Sequence, residues 1–253
     1  LKKHGFDDWC VWTGYESSNP PSSMRYWDPY IHTRSGSQTY QDKFGTDVFS
    51  NFLIESLRRN RHRPNLLYFP MCLPHTPFTT TPLHPDANDR IAKHKAMVSY
   101  VDHAVGRILS ALASEDFGDN TIMIFTTDNG SGGNLTGQLF DRQIKGGKAK
   151  LKESGCNAPF IVSWPKQIKA KRVTSALIDF TDLFPTLVDL AGANLPKQAH
   201  LDGSSFADII RGEDSDSKRS WILSMGGGVA AFKDGRVVPK KEFADRVIRD
   251  LRH

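Results

Sequence analysis

The chain has 253 residues, of which 38% are hydrophobic and 24% charged, enough apolar material for a sizeable core and unlike a disordered chain or a small stapled scaffold. At roughly 150 residues per domain this length allows one or two domains. No apolar run approaches the roughly 18 consecutive residues of a membrane-spanning helix, and 33 Lys and Arg against 28 Asp and Glu give a net charge of +5, which permits an anionic partner such as nucleic acid, an acidic membrane, or a sulfated or phosphorylated substrate.

The chain opens with Leu1 and has no charged-then-apolar leader, so it is expected to be a piece of a longer protein. The first forty-odd residues are rich in Gly, Ser, Pro, Trp and Tyr and read as a long ordered loop with short strands at most. Aromatic residues of Tyr26–Tyr30 either stack on a sugar ring or, more commonly for such residues, pack inward. From Thr46, a candidate N-cap, the pattern turns helical, with Val48, Phe49, Phe52, Leu53 and Leu57 on one face. The run Arg58-Arg59-Asn60-Arg61-His62-Arg63 reads as a solvated helix end whose cations suit the C-terminal dipole.

Leu66-Leu67-Tyr68-Phe69 has the length and character of a strand. A long helix is predicted over Asn88–Ser114, with Ile91, Met97, Val98, Val101, Val105, Ile108, Leu109 and Leu112 as its apolar stripe. Three further apolar runs read as buried strands: Thr121–Thr126, Pro159–Trp164 and Ala176–Phe180. Thr181 is the expected N-cap of a helix over Asp182–Ala191, closed by Gly192 at C′. Trp221–Met225 and Val229–Phe232, with Asp234-Gly235 as a turn, suggest a meander or hairpin, and a final helix is predicted over roughly Lys240–Leu251. Strands alternating with helices argue for an α/β sandwich around a largely parallel sheet.

Three segments have side chains suited to chemistry. Asp128-Asn129-Gly130 directly follows a strand, where ligands gather in open α/β sheets. A carboxylate beside an amide oxygen suits Ca²⁺ or Mg²⁺ rather than zinc, although the same residues also make an ordinary turn. In Leu73-Pro74-His75-Thr76-Pro77, two prolines restrict the backbone around His75, either to aim its ring or as a structural turn. Lys145-Gly146-Gly147-Lys148 is either a basic surface loop or a place where paired glycines let a ligand approach while Lys148 meets an anion. Cys10, Cys72 and Cys156 form no zinc pattern or disulfide framework and leave the redox compartment open.

In order and spacing these segments resemble the sulfatases of the alkaline phosphatase superfamily over nearly the whole chain. The likeness is carried by His94–Leu112 leading to Phe125-Thr126-Thr127-Asp128-Asn129-Gly130, by Leu67-Tyr68-Phe69 with Pro74-His75-Thr76-Pro77, and by Gly146-Gly147-Lys148 with Ala158–Pro165. Further matches are Asp182–Leu187, Leu190-Ala191-Gly192 and Leu201–Ser205, with Tyr26-Trp27-Asp28-Pro29-Tyr30 similar to an approach segment in bacterial members. The resemblance implies a three-layer α/β sandwich around a mostly parallel sheet, alkaline phosphatase-like and incomplete at the N-terminus. It implies residues 1–215 as the central and later part of the catalytic domain, and 216–253 as the start of a smaller C-terminal subdomain.

The resemblance further implies that Asp128 and Asn129 ligate Ca²⁺ (or Mg²⁺), that His75 hydrogen-bonds or protonates the bridging ester oxygen, and that Lys148 neutralises a sulfate oxygen. Such a set answers the charge that develops on the leaving and sulfuryl oxygens. The implied substrate is a sulfated small molecule or polysaccharide, not nucleic acid, and the implied location periplasmic, extracellular or lysosomal. The family's nucleophile is a formylglycine made in a Cys/Ser-x-Pro-x-Arg motif; no cysteine here begins one, Cys72 being followed by Leu73-Pro74-His75-Thr76, so that nucleophile is expected upstream. Asp7-Asp8 sits in a loop-like stretch and reads as structural. The lysine loop also departs from the usual family pattern, continuing as Ala149-Lys150-Leu151-Lys152-Glu153-Ser154-Gly155-Cys156-Asn157. Two other readings stay open: a phosphoesterase or phosphonate hydrolase of the same superfamily, and a non-catalytic module for sulfated glycans. Asn129 stands where two-metal members usually carry a His, which favours a single hard-oxygen site.

Overall fold

The computed structural model describes the chain except residues 17, 116, 170, 227–229, 234–235, 240–244 and 253. It divides into two compact units, Leu1–Gly118 and Asp119–His253.

In the first unit, strands β1 (Cys10–Trp12), β2 (Tyr30–Thr33) and β3 (Gly36–Thr39) form an antiparallel sheet in the order β1-β2-β3. Helix α1 spans Gly45–Arg59 and α2 Arg90–Ser114. Helix α1 starts earlier than expected, with Phe44 at the cap position and Thr46 buried inside the first turn. The reason is a close approach: a Cβ on Gly45 would lie 2.0 Å from the Arg25 carbonyl, and the Gly45 N–H finds its acceptor in the Tyr26 carbonyl at 2.6 Å, so no side-chain cap is needed.

Helix α2 is capped by Asp89, whose carboxylate accepts from the Ile91 and Ala92 N–H groups at 2.7 and 2.8 Å. Its buried face is rotated from the expected stripe: Met97, Tyr100 and Ala104 face the core, whereas Ile91, Val98 and Leu109 are exposed. Tyr100 turns inward because its hydroxyl donates to the Asp47 carboxylate on α1 at 2.8 Å, and Arg107 pairs with the same carboxylate at 2.9 Å. The core of this unit joins Tyr26, Phe44, Leu73, Met97 and Tyr100, with Trp27, Met71, Cys72, Phe78 and Val101 packed against it. The expected strand at Leu66–Phe69 does not form: Leu66 is 71% and Tyr68 72% exposed, and no ladder pairs with the run among the described residues. Apolar side chains alone do not make a strand without a neighbour for its N–H and C=O groups.

In the second unit, β4 (Met123–Thr126), β5 (Thr136–Leu139) and β6 (Arg142–Lys145) are followed by α3 (Glu153–Cys156), β7 (Phe160–Ser163), α4 (Leu183–Leu190) and α5 (Ala207–Arg211). Strands β8 (Ile222–Gly226), β9 (Ala230–Lys233), β10 (Arg236–Pro239) and β11 (Asp245–Arg249) end it. The pairs are β4-β7, β5-β6, β9-β10 and β8-β11, and all run antiparallel. The parallel pairs expected of the sheet are therefore not among those of the described residues.

Ala176–Phe180, expected as a strand, forms no ladder among the described residues, yet Ala176 and Ile178 pack on the core cluster of Phe206, Ile209 and Ile210. Helix α4 begins two residues later than its expected cap at Thr181: Asp179 caps a 3-10 turn over Phe180–Asp182 in a reciprocal capping box with Asp182. Gly192 does close the helix, with φ of 64°. The final helix expected over Lys240–Leu251 is overturned at Asp245–Arg249, which form β11 in register with β8, Asp245 opposite Gly226 and Arg249 opposite Ile222. Val247 and Ile248 are β-branched and suit a ladder better than a helix. Residues 240–244, and the expected turn at Asp234-Gly235, lie outside the described residues, as does Val229.

Asp182 anchors this unit. It is 2% exposed, pairs with Arg219 at 2.6 Å, and accepts from the Ser204 and Asp179 N–H groups at 2.8 and 2.9 Å. Burial alone would raise its carboxyl, but the Arg219 hydrogen bond and the two backbone donors outweigh it and hold the group below the ordinary carboxylate range.

Candidate functional site

His75 belongs to the first unit, Asp128, Asn129 and Lys148 to the second, and each set is built within its own unit.

Around His75 the chain makes a turn in which the His75 N–H donates to the Cys72 carbonyl at 3.1 Å, with cis peptides at Leu73-Pro74 and Thr76-Pro77. Leu73 anchors the turn in the core while His75 itself is exposed. The Tyr26 hydroxyl donates to the Cys72 carbonyl at 3.0 Å and to the His75 carbonyl at 2.5 Å. Arg25 donates through Nη2 to the Thr76 carbonyl, and His75 Nδ1 lies 2.8 Å from that same oxygen.

Arg25 went unnoticed in the sequence. The available signal was a cation directly ahead of an aromatic run, since a guanidinium seeks ring faces; its carbon Cζ lies 4.6 Å from the Trp12 ring centre and 5.0 Å from that of Tyr26. The aromatic segment Tyr26–Tyr30 packs inward at Tyr26, which is buried, and Trp27 donates to the Thr80 carbonyl at 3.1 Å.

In the second unit, Asp128 and Asn129 lie at the end of β4, Asp128 exposed and Asn129 half-buried. Neither side chain has a hydrogen-bond partner among the described residues, which leaves their oxygens available. The lysine loop returns to this turn through the backbone: Lys148 N–H donates to the Ser131 carbonyl at 2.9 Å, Gly146 N–H to Leu135 at 2.9 Å, and Gly130 N–H to Gly155 at 3.0 Å. Glycine is required at these crossings. A Cβ on Gly130 would meet the Ser154 carbonyl at 1.9 Å, and one on Gly146 the Gly132 carbonyl at 2.2 Å. At the tip, Lys150 N–H donates to the Gly147 carbonyl at 2.8 Å, and Ala149 takes φ of 65°, a left-handed conformation more usual for glycine. Lys148 is exposed on this turn.

The metal donors have the right chemistry and are incomplete in number. Two oxygen-bearing side chains suit a hard cation, but Ca²⁺ takes about 6–8 oxygens, and no group of three or more His, Cys, Asp and Glu gathers among the described residues. The cysteines offer no alternative nucleophile at two of three positions. Burial pushes the Cys10 thiol up to about 12, with Asp8 adding to it, and burial also raises Cys72 against the opposing pull of Arg25; a protonated thiol is inert. Asp8 is engaged by Arg59 at 2.9 Å, and Arg58 by Glu115 at 2.8 Å, so those parts of the acidic pair and the basic run are surface ion pairs. Among the described residues no helix is long and apolar enough to cross a membrane.

Comparison with known proteins supplies the family. The chain is 31% identical to mouse steryl-sulfatase over 179 residues, covering 66% of this chain and 28% of that protein. It is 27% identical to the arylsulfatase of Hemicentrotus pulcherrimus over 245 residues (92% of this chain, 44% of that one). With the N-acetylgalactosamine-6-sulfatase of Canis lupus familiaris the identity is 29% over 231 residues (83% and 43%). The chain thus spans less than half the length of these relatives.

Among solved structures, Ps i-CgsB superposes with a TM-score of 0.76 at 22% identity, covering 99% of this chain and 61% of that one. BT4656, solved with D-glucosamine-2-N,6-O-disulfate, does so with a TM-score of 0.72 at 16% identity (98% and 70%). These likenesses establish the α/β, alkaline phosphatase-like fold. With the sulfatase family model matching residues 1–193, the chain belongs to the sulfatase family.

Proposed function

We propose that this chain supplies part of the active site of a sulfuric ester hydrolase. In that reading Asp128 and Asn129 hold a Ca²⁺ ion, Mg²⁺ being the alternative, Lys148 neutralises a sulfate oxygen, and His75 hydrogen-bonds or protonates the ester oxygen. The observation that supports the reading is the backbone joining of the Lys148 loop to the turn after β4, Lys148 N–H to the Ser131 carbonyl and Gly130 N–H to the Gly155 carbonyl. A bound cation would polarise the sulfuryl oxygens and stabilise charge in the transition state. The nucleophile is expected to be a formylglycine outside these 253 residues, since the chain's cysteines lack its motif.

A sulfated carbohydrate is the proposed substrate class. N-acetylgalactosamine-6-sulfatases and a Formosa agariphila ulvan-active sulfatase stand among the relatives. Substrates of this kind and the family together point to a periplasmic, extracellular or lysosomal setting. Residues 1–215 are read as catalytic domain and 216–253 as the start of a smaller subdomain, a division supported by the ladder that returns β11 to β8.

The test is turnover of a chromogenic sulfate ester by the full-length protein. Turnover is expected to vanish on chelation, return with calcium, and exceed that of the matching phosphate ester. Asp128→Ala is expected to abolish the calcium response, and the 253-residue chain alone to be inactive. Faster phosphate than sulfate cleavage would replace this reading with that of a phosphoesterase.

A further inference from the structure

The hairpin of β5 and β6 stands bare on both faces. Every residue of both strands is exposed, although a two-stranded ribbon by itself is marginal in water. Its base is closed against the candidate site: Gly146 N–H donates to the Leu135 carbonyl at 2.9 Å, and Lys148 N–H, two residues on, donates to the Ser131 carbonyl. The hairpin therefore rises between the turn of Asp128 and Asn129 and the lysine loop. Four residues of strand lift its tip by roughly 13 Å, further than one sugar ring spans.

The tip is Phe140-Asp141, between Leu139 and Arg142, which pair in register. Phe140 takes φ of 52°, at a place where a two-residue turn ordinarily has Gly or Asn and a bulky side chain is strained. The Gln138 amide donates to the Phe140 carbonyl at 2.6 Å and holds the turn. Phe140 is nevertheless 92% exposed. Glycine would serve the turn better, so what phenylalanine adds is a ring displayed to solvent. Strand alternation puts Thr136, Gln138, Gln143 and Lys145 on one face of the ribbon, and the Gln143 amide and the Lys145 ammonium have no partner among the described residues. From Thr136 to Lys152 the chain carries Arg142, Lys145, Lys148, Lys150 and Lys152 against Asp141 alone, all of them exposed. A ring, a free amide and an excess of cations are the complement of a sulfated sugar, whose C–H face packs on an aromatic ring, whose hydroxyls bond to an amide and whose sulfates meet an ammonium.

We infer that the β5–β6 hairpin is a recognition arm for a sulfated polysaccharide chain: Phe140 stacks on a sugar some way along the chain from the reacting one, and Gln143 and Lys145 bind the hydroxyls and sulfates between them. The inference rests on the sulfated-carbohydrate reading above and adds that the carbohydrate is a chain, since the tip stands too far from the base to meet the sugar whose sulfate lies at Lys148. The two kinds of contact differ in character. The cations attract any polyanion and are screened by salt, whereas the ring answers only to a partner with a face to stack on.

The test is calorimetric titration of the full-length protein, at one low salt concentration, with two probes: dextran sulfate, a sulfated chain of sugars, and poly(vinyl sulfate), which carries the same anion on a chain without rings. Phe140→Gly removes the ring at a position whose backbone glycine accepts without strain, so the fold is kept. It should weaken dextran sulfate about five- to tenfold, the range of one lost aromatic contact, and poly(vinyl sulfate) less than about twofold. Phe140→Trp should bind dextran sulfate at least as tightly as the wild type. Lys145→Gln should weaken both probes by a similar factor of about three, and less as salt is added. Dextran sulfate binding unchanged in Phe140→Gly overturns the inference, as does an equal loss on both probes. Failure of the wild type to turn over any sulfate ester, with the difference between the probes intact, would remove the sulfatase reading and leave the arm standing as a glycan-binding element.

Discussion

The turn that carries His75 and the loop that carries Lys148 are held in opposite ways. Side chains hold the first: Tyr26 and Arg25 donate to the carbonyls of Cys72, His75 and Thr76, and Leu73 is buried beneath. Backbone holds the second, with N–H groups of Gly130, Gly146 and Lys148 crossing to facing carbonyls, and glycines at the crossings. The difference matches the roles proposed for the two groups. An imidazole acts through one particular nitrogen and must be aimed, which takes a cage of side chains. A lysine ammonium is a point charge on a flexible stem, so placing its Cα suffices. Behind each lies a matching framework, an aromatic cluster in the first unit and the Asp182–Arg219 pair in the second.

The contrast can be attacked first at that charged anchor. Asp182→Asn leaves the half-buried Arg219 without its counter-charge and is expected to cost about 1.5–3 kcal/mol, measured by denaturant unfolding. Because the folded carboxyl titrates below its unfolded value of about 3.9, its contribution is complete above that pH and is lost as pH falls through the folded pKa. The variant should therefore show a flatter decline of stability with acid than the wild type; an unchanged acid slope would remove Asp182 as the anchor.

Lys148→Ala should reduce turnover by about 10²-fold, the loss typical of removing one donor to a developing oxyanion, with the unfolding midpoint unmoved because the loop is held by its backbone. Arg59→Ala is the control. Its exposed pair with Asp8 contributes less than about 1 kcal/mol, and turnover should stay the same. Equal effects of the two would contradict the site.

Gly146→Ala tests the backbone tether, since its Cβ would meet two carbonyl oxygens; a loss of about 1–3 kcal/mol is expected, together with lost turnover. Tyr26→Phe tests the side-chain cage by removing the donor to Cys72 and His75. It should cost about 0.5–1.5 kcal/mol and lower kcat without touching the lysine loop. A stable, fully active Tyr26→Phe protein would show that the His75 turn holds itself.

Periodicity alone identified α1 and α2, because an amphipathic helix is written in neighbouring residues. It could not set the rotation of α2, which depends on Tyr100 meeting Asp47 across to another helix, nor the start of α1, which depends on Gly45 meeting Arg25. The runs at Thr121–Thr126 and Pro159–Trp164 were legible as strands, and those at Leu66–Phe69 and Ala176–Phe180 looked the same but found no ladder among the described residues.

What the sequence determined by itself was local chemistry and its order: a carboxylate and an amide after a strand, a histidine between prolines, a lysine after paired glycines. These are properties of neighbouring residues, and they were sufficient to point to the family. What only the tertiary structure decided were partners distant in the chain. Strand β11 is a strand because β8 offers it a ladder. The Lys148 loop is anchored because Gly130 and Gly146 admit a second backbone. Arg25 meets the His75 turn because an aromatic pair carries it across 50 residues of sequence. Contacts of that kind depend on packing in three dimensions, which no local pattern encodes.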